Sequence, residues 1–347
     1  MPGVLVTGAS TPLGIQVVRA LAASGQRVLA IGAEREPPLE LWDGAGELEY
    51  EQADLTRPRD VQRLLFGAAK TLGIESVLHT ALHRSPSDVG SRVHALNVES
   101  TRELLYLAER HPSIQRFVFR SHADVYRVDP RGASWISEDD PLDLSPHVPQ
   151  RVRDRVEADL TVCTRMGMSR LRIAVLRCAE VLGANIGSQL YDYLSSRVCL
   201  RPLGFDPMLN LMTERDAAEA AKLALTSNAD GIFNAPGADT LPLSRAIALW
   251  GRRALPLPGP LLAPLYRVRA SALGMEFRYD MNYRRFHFSV ILDGTRAREV
   301  LGYEPRHPIV WPAGVAPKAG APARDRRPTE WSVPRSSESP PARTSAS

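Results

Sequence analysis

Gly3-Val4-Leu5-Val6-Thr7-Gly8-Ala9-Ser10-Thr11-Pro12-Leu13-Gly14 sets the reading of the whole chain. Four apolar residues run into a Gly-containing turn, and Leu13, Val17 and Leu21 then recur on one helical face, which is strand, turn, helix. The same alternation continues downstream. Strands are expected at Arg27–Ile31, Leu48–Glu51, Ser76–His79, Arg116–Phe119 and Leu171–Leu176, with helices over Arg57–Lys70, Asp88–Arg110 and Arg151–Met166 between them. Strands alternating with helices of this length imply an α/β fold, a Rossmann-type doubly wound parallel sheet. Such sheets bind ligands at the carboxyl ends of their strands.

Beyond Gly183 the pattern loosens. We expect a helix over Thr213–Ser227, a short strand at Ile232–Asn234, and a helix over Leu241–Arg253 capped by Thr240 or Ser244. Residues 255–266 are uncharged and Pro-rich and read as a packed connection, or as a wall for a lipid-like or sterol-like substrate. Residues 312–347 hold seven Pro and three bulky apolar residues, too few to offset chain entropy, and read as a disordered tail. The expected organisation is residues 1–183 as the nucleotide domain, with 214–240 returning to it, and 184–213 with 241–311 as a smaller C-terminal substrate lobe.

The charge is misleading at first sight. The chain is +4, but the tail carries one Lys and five Arg against three acids, so the body is near neutral. That argues against a nucleic-acid groove on the folded part. Only Lys70, Lys222 and Lys318 are lysines among 43 basic residues, a bias towards Arg at the codon level. Cys163, Cys178 and Cys199 lack metal-ligand spacing and read as buried thiols, and no metal is expected. With no basic leader and no long apolar run, the expected location is the cytoplasm.

The first turn has the character of a dinucleotide turn: Gly8 closes the strand and Gly14 lets the helix pack against the sheet. Ser10, Thr11 and Leu13 lie between them, Thr11 where a glycine is usual. Gly32 stands where the second strand often ends in a ribose-binding acid, and Arg35 follows, which tilts the expectation from NAD towards NADP.

These segments, taken in order, resemble the extended short-chain dehydrogenase/reductase superfamily (the NAD-dependent epimerase/dehydratase family), in a bacterial subgroup with a degenerate Tyr-x-x-x-Lys motif. Val77-Leu78-His79-Thr80-Ala81, Asn97-Val98-Glu99-Ser100-Thr101, Arg116–Ser121 with Val125-Tyr126, Val175-Leu176-Arg177, Glu214–Ala218 and Asp293–Ala297 carry the likeness. The resemblance implies that Asp54 and Leu55 bracket the adenine. It places Thr80, Ala81 and Ser121 along the cofactor and has Asn97 steady the sheet and an active-site water. It also implies pairing of two long helices in a homodimer.

The same likeness implies a Tyr acid/base, a Lys that lowers its pKa, and a Ser or Thr that orients substrate. Yet no Tyr or Lys occurs from Arg127 to Leu190. Alignment puts His122 at the Ser/Thr, Arg151 at the Tyr and Arg155 at the Lys; a shifted register gives Pro149 and Arg153 and restores no Tyr. Guanidinium stays protonated and moves no protons near neutral pH. Arginines four residues apart also repel unless an anion lies between them. Three readings stand: a nucleotide-binding sensor or scaffold; an active oxidoreductase or sugar-nucleotide-epimerase-like enzyme using His122 as acid/base; and a structural part of a larger complex.

Overall fold

The chain is described from a computed structural model that covers residues 3–312 except 44, 45, 131 and 133. The expected disordered tail lies outside the described residues apart from Pro312. Seven parallel strands form the main sheet in the order β11-β7-β5-β4-β1-β2-β3. They are β1 (Gly3–Thr7), β2 (Arg27–Gly32), β3 (Leu48–Gln52), β4 (Ile74–His79), β5 (Arg116–His122), β7 (Arg172–Cys178) and β11 (Gly231–Ala235). Strand order reverses between β1 and β4, which pair in parallel from Gly3 to Thr7. That is the switch point where a ligand crevice opens.

Helices cover both faces, as a parallel sheet requires. On one face α1 (Pro12–Ala23) packs against α7 (Glu214–Thr226). The other face carries α2 (Pro58–Leu64), the helix Ser91–Arg110 and α5 (Gln150–Cys163). The second of these is one π-interrupted run, α3 (Ser91–His94), a π-turn at Ala95–Glu99 and α4 (Ser100–Arg110). It starts three residues later than the periodicity predicts, because Gly90 has φ +110° and breaks the path.

Smaller sheets complete the chain. Strand β6 (Trp135–Ile136) pairs with β14 (Ile291–Leu292). Strand β10 (Met208–Met212) lies between β8 (Glu180–Val181) and β12 (Asp239–Pro242), and β9 (Val198–Pro202) pairs with β13 (Arg253–Leu257). An aromatic cluster built on Tyr193, Tyr266, Phe277 and Phe286 is buried among α6 (Gln189–Leu194), α8 (Leu243–Leu249), α9 (Gly259–Leu273) and α10 (Tyr279–Asn282).

Two expectations for this region need correction. Leu241 belongs to β12, so α8 starts later, and neither Thr240 nor Ser244 caps it; the Asp206 carboxylate accepts from the Ser244 amide instead, at 2.8 Å. Residues 255–266 are not a bare connection but the end of a strand and a helix containing Pro264, with Leu262 and Tyr266 packed in the aromatic cluster and Leu255, Leu261 and Leu265 at least 40% exposed.

Polar groups inside the sheet set its register. His79 on β4 is fully buried between Thr7 Oγ1 (2.7 Å) and Thr101 Oγ1 (2.9 Å), and burial holds its pKa at about 3. On the other side of the sheet's centre, Asp159 of α5 accepts from Arg177 of β7 at 2.7 and 3.1 Å and from Ser121 of β5. Both partners of that ion pair are at most 3% exposed. No helix among the described residues is long and apolar enough to cross a membrane.

Two stability measurements follow. Asp159→Asn leaves the Arg177 charge buried without its anion and is expected to cost about 3–5 kcal/mol in denaturant unfolding, while the double change Asp159→Leu with Arg177→Met costs markedly less. The depressed His79 pKa contributes stability that is complete above the ordinary imidazole value of about 6.5 and is lost as pH falls from there. His79→Gln should therefore lower the slope of unfolding free energy with pH, between about pH 6 and 4, by about 1.4 kcal/mol per unit.

Candidate functional site

The groove starts at the turn after β1. Gly8 has φ +71°, and a Cβ there would meet the Ala81 backbone at 3.1 Å. A Cβ on Gly14 would lie 2.1 Å from the Gly8 carbonyl, so this helix approaches the strand only with glycine. Thr11 is the N-cap of α1. Its hydroxyl accepts from the Gly14 amide at 2.9 Å and donates to the Gly8 carbonyl at 2.8 Å. The hydroxyl is thus used within the turn.

Gly8, Ser10, Thr11, Asp54, Leu55 and Ala81 all line one groove of about 1080 Å³. Arg35 is exposed and does not line it; Glu34 does. The Glu34 carboxylate accepts from Ser10 Oγ. Its backbone is fixed by Tyr50, whose hydroxyl donates to the Glu34 carbonyl at 2.6 Å, and by Gln52, which donates to the Ala33 carbonyl at 2.9 Å. Glu34 is a groove residue that the sequence reading passed over, although an acid two residues past the strand was the available signal.

Four expected cofactor residues face elsewhere. Leu13 is packed in the core under α1. The Thr80 hydroxyl donates to the Thr7 carbonyl at 2.6 Å, tying β4 to β1. Asn97, on the π-turn, accepts from the His83 amide at 2.7 Å and donates to Asp154 at 3.2 Å, bracing the loop after β4 against α5. Ser121 faces α5, on the opposite side of β5 from Arg120 and His122.

At the reaction end the structure brings His122, Arg151 and Arg155 together around a cavity of about 50 Å³. Arg120, Asp124, Glu180 and Arg285 join them there; none had been singled out in the sequence. Arg155 pairs with Asp124. Burial pushes the Asp124 pKa up, but the surrounding Arg155, Arg285 and Arg151 charges outweigh it and leave it below the ordinary carboxylate value.

Arg151 donates to the carbonyls of Arg84 (2.6 Å) and Gly187 (2.7 Å). Arg84 in turn donates to the Asn185 carbonyl at 2.7 Å. The loops after β4 and β8 are thereby strapped across the end of the groove. Burial and the nearby Arg155 pull Arg151 down to about 9, so it stays cationic at neutral pH. Burial and then four guanidinium groups hold His122 neutral, its pKa well below the ordinary imidazole value. Tyr126 is the nearest tyrosine along β5's exit, but it donates to Asn234 at 2.7 Å, contacts Arg177, and is pushed up to about 12 chiefly by burial.

With this geometry in view, comparison with known proteins defines the class. The NAD dependent epimerase/dehydratase family model matches residues 4–234, and the chain belongs to that family. It is 29% identical over 320 residues to an uncharacterized protein of Mycobacterium tuberculosis, covering 87% of this chain and 80% of that one. It is 33% identical over 240 residues to sterol demethylase protein B of Methylococcus capsulatus, covering 65% and 67%. Among solved structures, the Bordetella bronchiseptica enzyme WbmG in complex with NAD superposes with a TM-score of 0.65 at 16% identity, covering 88% and 90%.

Arg151→Ala removes both donors from the strap. Amide hydrogen exchange at residues 82–90 and 183–190 is expected to accelerate, with β4 and β5 unchanged, and stability to fall by about 1.5–3 kcal/mol.

Proposed function

We propose that this protein binds NAD and does not transfer hydride, acting as a nucleotide-dependent sensor or scaffold. The carrying observation is Arg151, whose guanidinium occupies the position of the expected acid/base and is committed to two carbonyl oxygens across the groove's end. A group held in its cationic form at neutral pH has no free base with which to take a proton there. His122 does not replace it, because an imidazole held far below its ordinary pKa by four arginines is a weak base.

The binding half of the family's machinery is supported by separate features. The turn holds the close approaches that only Gly8 and Gly14 permit, and the groove is lined by Asp54, Leu55 and Ala81. Glu34 favours NAD over NADP in this reading. A carboxylate at the end of β2 accepts ribose hydroxyls and repels a 2′-phosphate, while Arg35 is turned out of the groove.

Fluorescence titration of the purified chain tests both parts. NADH is expected to bind about tenfold or more tightly than NADPH, and Glu34→Gln to erase most of that gap. Gly8→Asp abolishes both responses. Hydride exchange between NADH and a carbonyl compound above the protein-free rate would overturn the non-catalytic reading; NADPH binding the more tightly would overturn the role of Glu34.

A further inference from the structure

The arginines at the reaction end are not balanced by acids. Arg155 is matched by Asp124, and Arg285 lies 3.5 Å from Glu180. Among the described residues, neither Arg120 nor Arg151 has a carboxylate within ion-pair distance; Arg120 meets the His122 ring at 3.4 Å and the Cys178 thiol, both neutral partners. Two polar atoms at the cavity are also buried without partners: Arg120 Nε, a donor, and Asp124 Oδ1, an acceptor. An unmatched buried charge costs several kcal/mol, and each orphaned polar atom adds about 1–3. The cavity therefore asks for two negative charges, acceptors for Arg120, and one hydroxyl for Asp124.

We infer that this cage binds a small tetrahedral oxyanion that carries a proton, namely hydrogen phosphate. Its oxygens answer Arg120 and Arg151, and its O–H answers Asp124 Oδ1. Sulfate has the same shape and charge but no proton, so it would meet the Asp124 carboxylate with acceptor against acceptor. A volume of about 50 Å³ holds a few waters or one such ion. The inference rests on the non-catalytic reading of this centre, since an anion here occupies the ground that a reacting substrate would need.

Thermal unfolding of the full chain, without nucleotide, is followed in millimolar phosphate, sulfate or chloride at matched ionic strength. Phosphate is expected to raise Tm and to bind about tenfold or more tightly than sulfate, the value of one hydrogen bond to a charged group. Asp124→Asn supplies a donor in place of the acceptor and should erase or invert that preference. Arg120→Met should lose the phosphate response and, having shed an unmatched charge, melt at or above the wild-type temperature in chloride.

Glycerol phosphate is expected to act more weakly than phosphate; a larger response would overturn the assignment of a free, proton-bearing ion. Equal responses of the wild type to all three salts would overturn the site, as would an undiminished response in Arg120→Met. The wild-type contrast needs no variant to fold. Hydride exchange measured on the same preparation keeps the two claims apart, since turnover would remove the proposed function whichever way the salts divide.

Discussion

The ion pair between Asp159 and Arg177 holds the site in place. Helix α5 presents Arg151, Arg155 and Asp159 at four-residue intervals, all buried on one face. Residues at that spacing stack along a helix. Fixing Asp159 to β7 and to Ser121 of β5 therefore sets the rotation of α5 about its axis. Arg155 then reaches the turn after β5, and Arg151, a further turn away, reaches the loops after β4 and β8. Buried charge of this kind adds little net stability over apolar packing, but breaking it is costly, so it serves register better than strength.

A helix held in that rotation delivers whatever residues stand one and two turns before Asp159. In relatives that perform the family's chemistry, a hydroxyl and an ammonium would be delivered there, and the groove would end in a proton-transfer site. Here two guanidinium groups arrive, and one of them ties together the loops at the groove's end. The nucleotide end is lined by the turn after β1, the ends of β2 and β3, and the loop after β4 with the start of α3, and α5 touches it only through the bonds of Gln150, Arg151 and Asp154 to that loop and helix.

Much of this was legible from residue order. Gly8 and Gly14 were readable because their requirements, a positive φ and a close backbone approach, are local. The absence of a Tyr-Lys pair needed only counting. Orientation was less legible. Ser121 and His122 are adjacent in sequence, yet a strand sends alternate side chains to opposite faces, so one anchors α5 and the other faces the cavity. The same alternation places Arg120 beside His122, a signal present in β5 but not used. Arg285 gave no such signal, because it arrives from a segment more than a hundred residues distant.

By itself, the sequence determined the doubly wound sheet, the glycine turn between β1 and α1, and the lack of a Tyr or Lys from Arg127 to Leu190. All three follow from periodicity, small residues and residue identity, which are properties of short segments. Only the tertiary structure decided that Glu34 rather than Arg35 lines the groove, that Arg151 straps its far end, and that Arg120 and Arg151 lack carboxylate partners among the described residues. These are balances of charge and hydrogen bonding among β2, β5, α5 and the loops after β4 and β8. Such balances exist only once burial has removed water as the alternative partner.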